Sequence, residues 1–129
     1  MEKQDFDKAI SQLPEEFQQL LLDKVKSNKN YISSLIDTFN VFKKEVKFKV
    51  GDLVVWKHGL KNRKFPDYNK PLIVIEILED SVFDSKEGNA GSPLFREPLN
   101  IILGTVDEDD GDLLTYHFDK RRFEIYENM

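Results

Sequence analysis

The stretch with the most chemistry in it runs from His58 to Pro71. It interleaves Lys61, Arg63, Lys64 and Lys70 with Phe65 and Tyr68. Aromatic faces beside cations can stack on nucleic-acid bases or grip an acidic peptide. Long loops on a rigid scaffold often carry function. A second segment, Leu94 to Pro98, places Phe95 and Arg96 after a Gly-containing loop, Ser85–Pro93. If both loops edge one end of the fold, Arg96 would rim the same surface. The candidate binding residues are therefore Trp56, Lys61, Arg63, Lys64, Phe65, Tyr68 and Arg96. The structural alternative is a loop pinned by its own Phe65, Pro66 and Tyr68, with solvated cations.

Other chemistries find little support. Asp107 to Asp112 is an acidic run around Gly111. Clustered oxygens suit a hard cation, but the spacing fails the alternating ligands of an EF-hand loop. A solvated hairpin tip is the simpler reading. His58 and His117 are the only histidines, and no H-E-x-x-H spacing accompanies them. The glycines at 88 and 91 match no phosphate-binding loop. There are no cysteines, which excludes disulfides, thiolate metal sites and a cysteine nucleophile. No catalytic residue, metal or cofactor is expected, and the chain reads as a non-enzyme.

Charge separates along the chain. The formal net charge is −5. Residues 46–71 carry a net of +5 and residues 72–129 a net of −9. An acidic protein repels phosphate backbones overall. The expected partner is therefore another protein. Nucleic acid bound through the same basic loop is the second reading. No apolar run reaches the length of a membrane span, and the polar start lacks a signal-peptide core. A cytoplasmic location follows as an expectation.

These residues need elements to hold them. Residues 1–45 read as helical. Asp5–Ile10 suits a short opening helix. Leu13-Pro14-Glu15-Glu16-Phe17 is a helix start, with Pro in the first turn and acids at the positive dipole end. Phe17, Leu20, Leu21 and Val25 form an apolar stripe. Ser27-Asn28-Lys29-Asn30 reads as a break, and Ile32, Leu35, Ile36, Phe39 and Phe42 as the face of a second helix. The expectation is a helical hairpin.

From Val46 the period changes to two. Val46, Phe48 and Val50 alternate with Lys47 and Lys49. Gly51-Asp52 signals a turn. Apolar runs at 53–56, 72–78, 99–106, 113–118 and 123–126 read as five strands. Asp110-Gly111 marks a hairpin. Five short strands in about 80 residues suggest a small antiparallel barrel. The apolar outer faces of 53–56 and 72–78 need cover. A docked hairpin supplies it, or a homodimer does.

Phe48-Lys49-Val50-Gly51-Asp52-Leu53-Val54-Val55-Trp56-Lys57 resembles the opening of SH3-like barrels of the KOW and Tudor type. In look it is similar to short bacterial proteins that carry an N-terminal helical extension. The turn Asp119–Arg122 resembles the one-turn 3₁₀ element that precedes the last strand of that fold. The resemblance spans residues 46–127. It implies an α+β protein, with an N-terminal helical hairpin (1–45) packed on a five-stranded antiparallel SH3-like barrel (46–129). The whole chain, 1–129, would be one domain, a monomer or a homodimer. The resemblance implies no substrate, because this barrel hosts many functions. Loops 58–71 and 84–98 are longer than a minimal barrel of this kind needs. The functional expectation is a protein-interaction or adaptor module built around residues 58–71.

Overall fold

A computed structural model describes residue 12 and residues 14–86 and 88–127. The helix expected at Asp5–Ile10 lies outside the described residues. The chain divides into two compact units, Met1–Phe39 and Asn40–Met129.

One helix, α1, spans Glu15–Lys43. It starts where the sequence signals a start: Pro14 precedes it, and the Pro14 carbonyl accepts from the Gln18 amide at 3.0 Å. Glu15 and Glu16 occupy its first turn and Lys43 its last, matching the dipole at both ends. The hairpin expectation is corrected. Residues 27–30 continue the helix without a break. Ser, Asn and Lys each cost at most about 0.7 kcal/mol relative to Ala, and no Gly or Pro interrupts the ladder. The favourable turns on either side outweigh that cost. No residue of α1 is buried.

The second unit is a five-stranded antiparallel sheet. Its strands are β1 Leu53–Trp56, β2 Leu72–Val82, β3 Leu99–Val106, β4 Leu113–Phe118 and β5 Phe123–Ile125. The order is β4-β3-β2-β1-β5, so β1 pairs with the last strand and β4 is an edge. A 3₁₀ turn, Lys120–Arg122, joins β4 to β5 and is capped by the Asp119 carboxylate. The sheet is not closed, which corrects the closed barrel. Closing it would need β4 to pair with β5, and both are sheet edges. The architecture is α+β and compatible with a small barrel-like fold.

The alternating stretch 46–50 forms no paired strand. It leads instead into a turn at Gly51, whose φ of +95° suits a residue without a Cβ. The Lys49 amide donates to the Asp52 carboxylate at 2.8 Å, closing that turn. Phe48 still packs against the core.

That core contains Val54, Trp56, Leu72, Val74, Ile101, Leu103, Phe118 and Phe123. The strands alternate, so these positions share one face. On the other face Leu53 and Ile73 stay 46% and 37% exposed. A bulge at Ile75 shifts the β2–β3 register between Val74 and Glu76.

Lys57 follows Trp56 directly and points the opposite way. Its residue is 1% exposed. Its ammonium donates to the carbonyls of Val41 at 2.9 Å and Lys44 at 2.7 Å. These carbonyls lie at the helix C-terminus and carry partial negative charge; the Val41 carbonyl also accepts from the Lys44 amide at 3.3 Å. Burial lowers the Lys57 pKa from its ordinary value, and Glu124 opposes that shift. The folded chain therefore holds this proton less tightly than the unfolded chain does. Between the lowered folded value and 10.5, stability contributed by this group rises with pH. Lys57→Met keeps the stem but removes the ammonium from the Val41 and Lys44 carbonyls. We expect it to cost about 1–3 kcal/mol in urea denaturation at pH 7. It should also remove the part of any rise in wild-type stability just below pH 10.5 that comes from this group, which denaturation across that range would show.

Candidate binding surface

The loop 57–71 leaves β1 beneath Trp56 and returns to β2. Trp56 is 3% exposed. Its indole stacks on Phe123 at 4.3 Å and meets Phe118 edge-on at 5.7 Å. Its Nε1–H donates to the Pro66 carbonyl at 2.7 Å. Trp56 is thus a core residue that anchors the loop from below. That corrects its expected place on the contact surface: its position faces the core side of β1, and the ring is too large and apolar to leave it cheaply.

The loop's cations fall into two groups. Arg63 Nη2 donates to Glu97 Oε1 at 2.8 Å. Glu97, with a side chain 5% exposed, also accepts from Arg122 Nε at 3.0 Å and from Asn62 Nδ2. Arg122 further donates to the Leu60 carbonyl at 3.2 Å. Two guanidiniums around one buried carboxylate neutralise it and supply its hydrogen bonds. This cluster ties loop 57–71, the segment before β3 and the 3₁₀ turn together. Arg63 is part of the scaffold and does not present its charge to a partner.

Lys61, Lys64 and Lys70 differ. Lys61 Nζ donates to the Lys64 carbonyl at 3.2 Å, and Lys70 pairs with the exposed Glu108 at 3.3 Å. Phe65 and Tyr68 are 38% and 44% exposed. The Tyr68 hydroxyl accepts from the Lys61 amide at 3.3 Å, and the Tyr68 ring lies 6.4 Å from His58. Phe65 packs at 5.4 Å against Tyr116 of edge strand β4, and the Lys70 ammonium sits 5.9 Å from the Phe65 ring. Tyr116 is itself 40% exposed. The surface therefore brings together Phe65, Tyr116 and Lys70, with Tyr68 and Lys61 joined along the loop.

Arg96 sits elsewhere. Its guanidinium lies over the Phe83 ring at 4.6 Å. The two loops do meet, but through Glu97 and not through Arg96. Sequence reasoning missed Glu97, Asn62 and Tyr116. Tyr116 carried a usable signal, since an aromatic on an alternating strand faces either the core or a partner. Glu97 carried none: a lone acid before a proline does not declare which cations fold onto it.

The acidic hairpin tip is a self-contained turn. The Asp107 amide donates to the Asp112 carbonyl at 2.8 Å, and the Asp107 and Asp110 carboxylates accept from backbone amides two residues on. Among the described residues no group of His, Asp or Glu is placed to hold a metal ion, and no helix is long and apolar enough to cross a membrane. A buried lysine can be a nucleophile, but the Lys57 ammonium is held by two carbonyls.

No protein-family model matches the chain, no curated protein matches it, and no solved structure matches it.

The cluster around Glu97 makes a direct prediction. Glu97→Ala leaves two guanidiniums facing a partly buried gap and should cost about 3 kcal/mol in chemical denaturation. Lys64→Ala, at an exposed position, should stay within about 0.5 kcal/mol of wild type. Equal effects of the two would overturn the division between scaffold residues and surface cations.

Proposed function

We propose that the chain is a non-enzymatic protein-interaction module that binds an extended acidic peptide at Phe65, Tyr116 and Tyr68. The observation that carries this reading is the exposed contact between loop residue Phe65 and Tyr116 of edge strand β4, with Lys70 beside it. An edge strand offers unpaired amides and carbonyls for strand addition. Aromatic rings supply apolar area with little conformational entropy to lose. Lys61, Lys64 and Lys70 supply the complementary charge. The strand order, with a 3₁₀ turn before the last strand, supports an SH3-like architecture. We read the chain as one domain acting in the cytoplasm, with the barrel-like unit as its binding part.

Acidic, aromatic-containing peptides on an array are the first probe, followed by fluorescence anisotropy with the full chain. The double substitution Phe65→Ala/Tyr116→Ala should weaken binding at least about tenfold, as expected when two contact aromatics are truncated. Arg96→Ala should leave it unchanged. Peptide affinity should fall only modestly with salt. A steep log–log salt dependence with single-stranded oligonucleotides, and none of the peptides bound, would replace this reading with phosphate-backbone binding.

A further inference from the structure

A pocket of about 300 Å³ opens where the end of α1 meets the 3₁₀ turn. It is lined by residues 42–46, as the chain leaves the helix, and by Lys120 and Arg121 of the turn. All of these residues belong to the second unit. Four of them are cations, Lys43, Lys44, Lys120 and Arg121, against one acid, Glu45. Phe42 and Val46, both half-buried, give the pocket an apolar part. Its size is at the low end for small-molecule sites, which run from about 300 to 1,000 Å³.

We propose that this pocket binds the phosphate group of a small organic phosphate monoester. Such a group carries nearly two negative charges at neutral pH and three acceptor oxygens. It can therefore engage several cations at once, and charge-assisted hydrogen bonds are the strong ones. Arg121 is already set for that role. Its Nε and Nη2 donate to the Asp119 carboxylate at 3.0 and 2.7 Å, and its guanidinium lies 4.7 Å from the Phe42 ring. These two contacts fix the guanidinium plane while the side chain stays 46% exposed. Asp119 takes Nε and Nη2, which leaves Nη1 as a donor. A donor fixed in advance loses less entropy on binding. Lys44 and Lys120 supply point charges that adapt to the oxygens.

A helix C-terminus ordinarily repels an anion. Here the Lys57 ammonium already covers the Val41 and Lys44 carbonyls at 2.9 and 2.7 Å. The negative end of the dipole is answered from inside the fold, and the lysines of the pocket are left for a ligand. Phe42 and Val46 then meet the organic part of the ester, a contact that inorganic phosphate cannot make.

Phenyl phosphate is the probe, titrated into the isotope-labelled full chain at low salt and followed by NMR. The amides of residues 43–46, Lys120 and Arg121 should shift together and saturate. The double substitution Lys44→Gln/Lys120→Gln removes two charged donors and should weaken binding at least about tenfold. Glu45→Gln removes the one acid and should tighten it by up to about fivefold. Lys86→Gln, at an exposed position elsewhere, should change nothing. Unchanged Trp56 fluorescence shows that each variant is folded. Inorganic phosphate should shift the same amides with lower affinity, and benzoate should bind more weakly than phenyl phosphate. Absence of a saturable shift at these amides, shifts at residues 61–70 in their place, or binding indifferent to the double substitution overturns the proposal. Inorganic phosphate binding as tightly as the ester overturns the assignment of an organic ligand. Benzoate binding as tightly overturns the assignment of a phosphate.

Discussion

The end of β1 is the point on which the second unit hangs. Two consecutive residues there face opposite ways, as strand geometry requires. Trp56 enters the core, stacks on Phe123 and holds the loop through the Pro66 carbonyl. Lys57 turns away and holds the carbonyls of Val41 and Lys44. One dipeptide thus fixes the start of the long loop and the end of the helix. Both contacts are polar groups satisfied inside the fold, where an unmade hydrogen bond costs more than a made one contributes. Neither residue could exchange roles with the other. An indole has one donor and a large apolar face, whereas an ammonium has three donors and little need of one direction.

A second constraint is the burial of Glu97. A carboxylate cannot be taken out of water alone, so the fold brings Arg63, Arg122 and Asn62 to it. The result couples three segments far apart in sequence. It also changes what the +5 charge of residues 46–71 means. Part of that charge is internal: Lys57 neutralises helix carbonyls and Arg63 neutralises Glu97. The field outside the loop comes from the lysines that remain. Arg121 and Arg122 are tied down likewise, the first in a bidentate pair with the buried Asp119 and both over the Phe42 ring.

How much of this was legible follows from the range of each interaction. The five strands were legible as short apolar runs bounded by turn signals, whereas the alternating stretch 46–50 forms no paired strand. So was the helix start, where Pro14, Glu15 and Glu16 announce a terminus on their own. The turn at Asp119 was legible for the same reason, since its carboxylate caps an amide two residues on. The break at 27–30 was misread because Ser and Asn suit caps as well as helix interiors, and only the energy of the neighbouring turns decides between them. The closure of the sheet depends on whether two edges meet, and no local pattern encodes that. The burial of Trp56 was equally out of reach. Val54, Val55 and Trp56 are all apolar, so alternation could not say which face looked inward.

The candidate surface is also shaped by the protein's own acids. The hairpin tip between β3 and β4 places Glu108 within 3.3 Å of Lys70. The Glu108 side chain is 83% exposed and that of Lys70 40%, so the pair is worth no more than about 1 kcal/mol. A carboxylate from a partner can replace Glu108 there at little cost. It cannot replace Glu97 at Arg63, where withdrawal would leave a charge buried and unpaired. The same acidic tip repels a polyanion that approaches along β4, because several carboxylates cluster at one end of that strand. Under the reading proposed above, a short peptide with one or two acids and an apolar side chain would avoid that repulsion and still reach Phe65 and Tyr116. For the proposed peptide reading, the placement of the acids is a sharper argument against a nucleic acid than the net charge of the chain is.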